Sequence, residues 1–524
     1  MSADPPAHAG VPHINPWIVA VAVMFATFME ILDTTVVNVS LPHIAGSLSS
    51  TIDESTWALT SYLVANAIIL PLTGWLANHF GRKRLLMLSV TGFTIASFLC
   101  GLAPTLGVLV FFRVIQGMTG GALQPLSQAV LLEAFPPRDR GKAMGFWGLG
   151  IVVAPILGPV VGGWLTDSYS WRWVFYINIP VGIASLVMTR LFIFDPPYIQ
   201  RKSERIDYWG IGLLAVGIGA LQILLDKGQE EDWFASPAMR ALAVAAAFGL
   251  VAFVIRELRA EHPVVDLRVF RVRTYATGVF LMTVLGFVLY GSLVLLPIFL
   301  QTLLGYPSLQ AGIAMAPRGI GSFIAMPIVG AILMRVGPRK LLATGLVGGA
   351  CTLFWFGQLN LQTGYWDVFW PQFIQGLSLG LLFVPLTTIS MDPIPREEMG
   401  NATSLFNLMR NIGGSFGIAT STMLLYRDGQ AHTSMLAAHV TPYDPQARAL
   451  LQGLRASLLA RGADLFTATE QARAMAFGIV SRQASMLAFV DVFRLLGTLF
   501  LALLPLLLLM RSPRHAPAGE PGLH

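Results

Sequence analysis

Glu30 and Asp33 stand in the first of many long apolar runs in this chain, and Arg113 stands in the fourth. A charge inside a bilayer is costly, so each ionisable residue in such a run is a functional candidate by default. At about 100° of turn per residue, Thr27, Glu30, Asp33, Thr34 and Asn38 share one helix face and leave the other apolar. That stripe must line a cavity or meet a partner helix. The first run ends near Val39 and the fourth begins near Leu106, on the same side of the bilayer if the runs alternate in direction. Asp33 and Arg113 then both lie roughly 10 Å below that surface, at about 1.5 Å per residue, and neighbouring helices would let them pair. A carboxylate in low dielectric gains proton affinity, and a nearby guanidinium takes that gain away. Arginine keeps its charge, so the carboxylate is the member that titrates. Moving the helices apart or wetting the cavity would then switch a proton. The plainer reading is a static pair that orients two helices.

Further polar residues in the apolar runs are candidates for a substrate cavity. These are Asn38, Tyr62, Asn66, Gln116, Gln124, Tyr290, Arg318, Arg410 and Asn411. No carboxylate of matching depth is evident for Arg318 or Arg410, which either cap polar groups or attract anionic parts of a substrate. The aromatic residues Trp57, Tyr62, Phe146, Trp147 and Tyr290 serve equally well for stacking on substrate or for packing. The fifth run, GFWGLGIVVAPILGPVVGG at 145–163, is rich in small residues. Gly158, Gly162 and Gly163 allow close helix approach and Pro159 a bend, which suits a rocking interface between bundles.

These residues need a membrane-spanning scaffold, and the composition supplies one. The chain has 524 residues, 55% hydrophobic and 12% charged, against about 25% charged in soluble domains. Apolar runs of about 20 residues, enough to cross a bilayer, fill most of it. Spans are expected at 17–39, 56–77, 85–103, 106–131, 143–165, 173–194, 208–226, 238–256, 276–300, 309–333, 341–359, 367–390, 401–425 and 487–510. Basic residues gather in alternate loops: Arg82, Lys83 and Arg84; Arg138, Arg140 and Lys142; Arg201, Lys202 and Arg205; Arg256 to Arg273; Arg335, Arg339 and Lys340. By the positive-inside rule those loops and both termini are cytoplasmic, which requires an even number of spans. About fourteen fits.

The expected fold is all-α: two six-helix bundles at 16–194 and 273–510, with two additional helices at 195–272 between them. Residues 1–15 and 511–524 read as cytoplasmic tails, the first one disordered and followed by a retained anchor rather than a cleaved signal. Residues 426–486 read as a long extracytoplasmic loop carrying six arginines. Within it Leu450, Leu451, Leu454, Leu458 and Leu459 recur at helical spacing, as an amphipathic helix resting on the protein or lipid surface, or docking a partner. GWLANHFGRKR at 74–84 and GAILMRVGPRK at 330–340 form a weak internal repeat, which a two-bundle transporter would show.

Other classes find little support. The formal charge of +6 sits in short loop clusters and does not suggest nucleic acid. Cys100 and Cys351 lie inside spans, and the nine histidines show no metal-ligand spacing, so neither a metal site nor a metalloenzyme is expected. A membrane enzyme would need a nucleophile–base pair near a membrane face, and none is found. A non-transporting sensor or scaffold is the remaining alternative.

Together these motifs resemble the fourteen-helix drug/proton antiporters of the major facilitator superfamily, most closely the EmrB-like permeases. LDTTVVNVSLP at 32–42 resembles the family's first-span signature, which implies proton coupling through Asp33. RVIQGMTGG at 113–121 is similar to the fourth-span motif, implying a part in proton transfer for Arg113. GWLANHFGRKR resembles the cytoplasmic gating motif, implying conformational roles for Gly74, Asn78, Gly81, Arg82 and Lys83. The run at 145–163 resembles the antiporter motif of exporters, while SWRWVFYINIPVG at 170–182 and FNLMRNIGGSFGIA at 406–419 also look typical. The chain departs at Asn78, where the family usually has Asp, and at Ala154, where it usually has Gly; Glu30 is outside the shared signature. The resemblance implies export of hydrophobic or amphipathic toxic compounds across the inner membrane, driven by the proton gradient without a cofactor. It further implies a periplasmic EmrA-like adaptor and a TolC-like outer-membrane channel. On the same fold, a dedicated exporter of one metabolite, such as a fatty acid or siderophore, is the alternative.

Overall fold

The computed structural model describes residues 15–195, 207–441 and 443–510. The expected tails at 1–14 and 511–524 and the basic cluster Arg201, Lys202 and Arg205 lie outside the described residues.

The apolar runs form helices because a backbone in hydrocarbon must satisfy its own hydrogen bonds. The first group comprises α1 (Pro16–Ser47), α2 (Trp57–Phe80), α3 (Arg82–Leu102), α4 (Leu106–Ala134), α5 (Arg140–Ser168) and α6 (Trp173–Phe192). Next come α7 (Tyr208–Lys227) and α8 (Pro237–Arg259), which pack on each other. The second group is α9 (Arg273–Ile298), α10 (Ser308–Val336), α11 (Pro338–Phe356), α12 (Tyr365–Met391), α13 (Met399–Ala437) and α15 (Leu465–Ala502). The shorter α14 (Pro445–Ala460) lies against α15. Twelve helices among the described residues are long and apolar enough to cross a membrane. The expected spans at 341–359 and 401–425 fall on the two further helices α11 and α13, and α13 is polar because Asn407, Arg410 and Asn411 face inward or sideways from it. Large apolar side chains such as Leu88, Phe111, Val244 and Phe248 point outward, as a lipid-facing belt requires.

Prolines mark where the helices deviate. Pro125 has no N–H to give to the Gly121 carbonyl, and α4 is interrupted between Gly120 and Leu123. Pro297 precedes a wider turn over Phe299–Leu303 at the end of α9.

The region 426–486 differs from expectation. Rather than a long loop, it is largely helical: α13 runs on to Ala437, α14 spans 445–460, and α15 begins at Leu465. At 39 residues α13 is roughly 58 Å long, far more than the ~30 Å hydrocarbon core. Charged residues lower its hydropathy without ending the helix, because Ala, Leu, Met and Arg are good helix formers. The leucine-bearing segment is the helix α14, with Leu451, Leu454 and Leu458 half-buried and Leu450 and Leu459 exposed.

The two groups meet along α5–α10 and α2–α13, with α4–α13 and α5–α12 adding to the seam. Helix α7 packs on α2 and also touches α13, so the additional pair lies beside the seam.

Candidate functional site

Asp33 is completely buried, and its carboxylate is saturated with donors. Oδ2 accepts from Arg113 Nη1 at 2.5 Å. Oδ1 accepts from Gln116 Nε2 at 2.9 Å and from Asn178 Nδ2 at 2.7 Å. The arginine is fixed in turn: Nη1 also donates to Gln116 Oε1 at 2.8 Å and Nε to the Ala58 carbonyl at 2.8 Å. Its guanidinium lies 4.2 Å from the centre of the Tyr62 ring, a cation–π contact. Asn178 is held by the Ser97 hydroxyl at 3.0 Å, which donates to the Phe175 carbonyl at 2.8 Å. Helices α1, α2, α3, α4 and α6 thus converge on one carboxylate. The pairing anticipated from depth is present, while Gln116 and Tyr62, expected to line a cavity, are parts of the ion-pair cluster instead. Asn178, Ser97 and the Ala58 carbonyl were missed. Counting depth would have exposed Asn178, five residues into α6 from the same end.

About one turn toward the basic loops, Glu30 forms a second centre. Asn66 Nδ2 donates to its Oε1 at 2.9 Å, and the Gln124 backbone and the Arg410 charge stand close to it. Arg410 Nη2 donates to Gln124 Oε1 at 2.5 Å and lies 3.4 Å from Asn411 Oδ1. Arg410 belongs to α13 in the second group, so this centre crosses the seam. Asn407 Nδ2 crosses it too, donating to Gln128 Oε1 at 2.5 Å. The carboxylate that Arg410 lacked by depth counting comes from the other group.

Among the remaining cavity candidates, Asn38 is exposed about two and a half turns before the end of α1 and Tyr290 is half-buried with its ring against Gly414. Arg318 is buried and its Nη1 has no partner. Trp147 is buried, donates to Thr27 Oγ1 at 3.2 Å and stacks on Phe383 across the seam; Phe146 meets Trp17 edge to face, and Trp57 is exposed.

At the basic ends the halves are shut. A Cβ on Gly74 would stand 2.7 Å from the Asn401 backbone, and one on Gly330 would stand 2.6 Å from the Gly141 carbonyl. The first glycines of the two repeats therefore make equivalent contacts, α2 on α13 and α10 on α5. The second glycines, Gly81 and Gly337, share a φ of +87° and +90°, which an L side chain rarely adopts. Arg82 forms a buried ion pair with Glu133 of α4 and donates to the Arg396 carbonyl of the second group at 3.4 Å. The Lys83 backbone N–H donates to Asp195 Oδ1 at 2.8 Å and its Nζ to the Arg190 carbonyl at 2.7 Å. Asn78 is exposed and outside this network. The acidic partner of Arg82 is Glu133, which the sequence reading did not single out.

The glycines of α5 need a correction. Gly158 and Gly162 pack against Thr35 and Val36 of α1, inside the first group, and a Cβ on Gly163 would meet nothing. The contact with the second group is made nearer the basic end, by Gly141, Gly145 and Gly148 against Leu333, Met326 and Phe383. The α5 backbone is helical through position 159, whose side chain lies outside the description.

Chemically, one face-to-face pair of groups encloses a sealed carboxylate–guanidinium centre and a second carboxylate at the seam. No group of His, Cys, Asp and Glu that could hold a metal occurs among the described residues.

The sequence profile of the Major Facilitator Superfamily matches residues 23–418. The chain is 37% identical over 509 residues to the multidrug export protein EmrB of Escherichia coli strain K12, covering 97% of this chain and 98% of that one. It is 41% identical over 430 residues to the EmrB of Haemophilus influenzae, covering 82% and 84%. The fatty acid resistance protein FarB of Neisseria gonorrhoeae is 38% identical over 502 residues, 96% of this chain and 97% of that one. Two solved structures share the fold. The human organic anion transporter MFSD10 has a TM-score of 0.60 at 13% identity, over 93% of this chain and 100% of that one. The proton:xylose symporter XylE has a TM-score of 0.58 at 15% identity, over 95% and 96%.

Proposed function

Because the chain belongs to the major facilitator superfamily, among its EmrB-like multidrug efflux permeases, we propose that it is a proton-coupled antiporter exporting hydrophobic and amphipathic toxic compounds across the inner membrane. It is a multi-pass membrane transporter rather than an enzyme. No cofactor is needed, since the proton gradient supplies the drive. The basic loops and both termini face the cytoplasm, following the charge bias of the loops.

The observation that supports proton coupling is the Asp33 carboxylate, sealed from solvent and held by three donors from two other helices. Any motion that parts α1 from α4 and α6 strips those donors away. A carboxylate left alone in low dielectric takes up a proton. Proton binding and helix rearrangement are then one event. Glu30, joined through Gln124 to Arg410 on the other half, carries the coupling toward the seam. The closed basic face corresponds to the state that receives protons from, and delivers substrate to, the opposite side. The projecting ends of α13 and α15, with α14, offer the surface for an EmrA-like adaptor leading to a TolC-like channel.

A panel of unrelated toxic compounds, tested on pump-deficient cells making the chain, distinguishes the two export readings. Broad exporters protect against several chemical classes, with protection lost when an uncoupler collapses the gradient. Protection confined to long-chain acids would favour a dedicated exporter, the reading to which the likeness with FarB gives weight.

A further inference from the structure

Three arginines lie deep in the helical groups, and two are balanced. Arg113 is bonded to Asp33, and Arg410 bonds Gln124 beside Glu30. Arg318, ten residues into the 29-residue α10, is different. It is only 7% exposed, and its Nη1 has no hydrogen-bond partner. It lines a small cavity between α9, α10, α11, α12 and α15, with Gln375, Ser378 and Ser292 as the other polar residues and leucines and Phe500 around them. No carboxylate lines this cavity. The space is small, enough for one group of about the size of a water molecule.

A guanidinium stays protonated. An unbalanced charge at this depth costs several kcal/mol. Neither hydroxyl is hydrogen-bonded to the guanidinium: Ser378 donates to the Ile374 carbonyl at 2.9 Å and Ser292 to the Leu289 carbonyl at 3.0 Å, and a neutral hydroxyl would not cancel the charge. The Gln375 carboxamide, buried and free of other bonds among the described residues, lines the same space, and its amide can turn an N–H toward a bound anion. A fixed positive charge, an amide donor and an apolar wall around a one-group space make a receptor for a small anion.

We propose that the Arg318 cavity binds a small monovalent inorganic anion, chloride. The site is within the second helical group and separate from the Asp33 centre, so it holds whether or not transport is proton-coupled.

Thermal unfolding of the full chain in detergent, in sodium gluconate, tests this. Gluconate is too large for the space. Chloride and acetate are each titrated at constant ionic strength. A saturable rise of several degrees in the midpoint with chloride is expected, and it should vanish in Arg318→Gln. Acetate, whose carboxylate is larger than the space, should give no saturable rise. A rise with acetate equal to that with chloride would overturn the assignment to a one-atom ion. Arg318→Lys keeps the charge and should keep part of the shift, which guards against a variant that merely misfolds. No saturable shift with chloride in the intact chain, or an equal shift in well-folded Arg318→Gln, would overturn the proposal.

Discussion

At the residue scale, the Asp33 centre behaves as a unit because each member satisfies another. Removing Arg113 leaves a buried carboxylate charged and alone, so Arg113→Ala should destabilise the chain by about 3–5 kcal/mol. Asp33→Asn in the same chain should recover part of that loss, since it removes the orphaned charge; thermal unfolding of both variants measures it. Arg113→Lys should not restore transport, because one ammonium cannot reach Asp33, Gln116 and the Ala58 carbonyl together. Asn178→Ala removes one donor and should cost about 1–3 kcal/mol, with transport rate falling while substrate affinity holds. Asp33 and Arg113 were legible because charges in apolar runs are rare and their depth can be counted. Asn178 was overlooked because a neutral amide near the end of a run looks like any interfacial residue until its depth is counted. The Arg82–Glu133 pair escaped for a different reason: Glu133 sits where loop charges are common, and only the fold brings it under Arg82.

At the element scale, the repeated Gly–six–Gly pattern is explained by two needs: close approach at the first glycine and a positive φ at the second. Gly330→Val should hold the basic face open, because its Cβ would press on the Gly141 carbonyl. Distances between spin labels on the basic ends of α5 and α10 should lengthen; unchanged distances would contradict that contact's role. The repeat was readable from sequence, but the helix surface each glycine serves was not. Gly158 and Gly162 illustrate the limit, since a small-residue face shows that something packs closely without saying what. The helices at 426–486 were hidden because span detection follows hydropathy, whereas helix formation follows propensity and caps. Asp464 is such a cap, accepting from the Phe466 and Thr467 N–H groups at 3.0 Å each. Its bonds to Thr467 hold its carboxyl below the ordinary carboxylate range. The cap is therefore fully present above the usual aspartate pKa and is lost as pH falls through the lowered one. Amide exchange at 465–468, corrected for intrinsic rates, should speed up in acid and not at neutral pH.

At the scale of the whole molecule, two helical groups close on each other at their basic ends, and α7 lies beside the seam. The Asp226 carboxylate bonds Thr60 and Lys227 bonds Thr56, tying α7 to α2, while among the described residues its side-chain hydrogen bond to α13 is Gln222–Ser415 at 3.1 Å. The additional pair should therefore travel with the first group when the halves rock. The two-bundle fold with two helices between was legible from the apolar runs, because a bilayer fixes span length. Which contacts lock the closed state depends on side chains from opposite halves, which no local pattern reports. Proton coupling through Asp33 is the central claim, and the most direct test is gradient-driven uptake of a fluorescent drug into inverted membrane vesicles, intact chain against Asp33→Asn. Uptake that requires an imposed proton gradient and disappears in well-folded Asp33→Asn is the expected result. Uptake that follows the gradient equally well in the variant would contradict the claim and place the proton on another group, with Glu30 the next to replace.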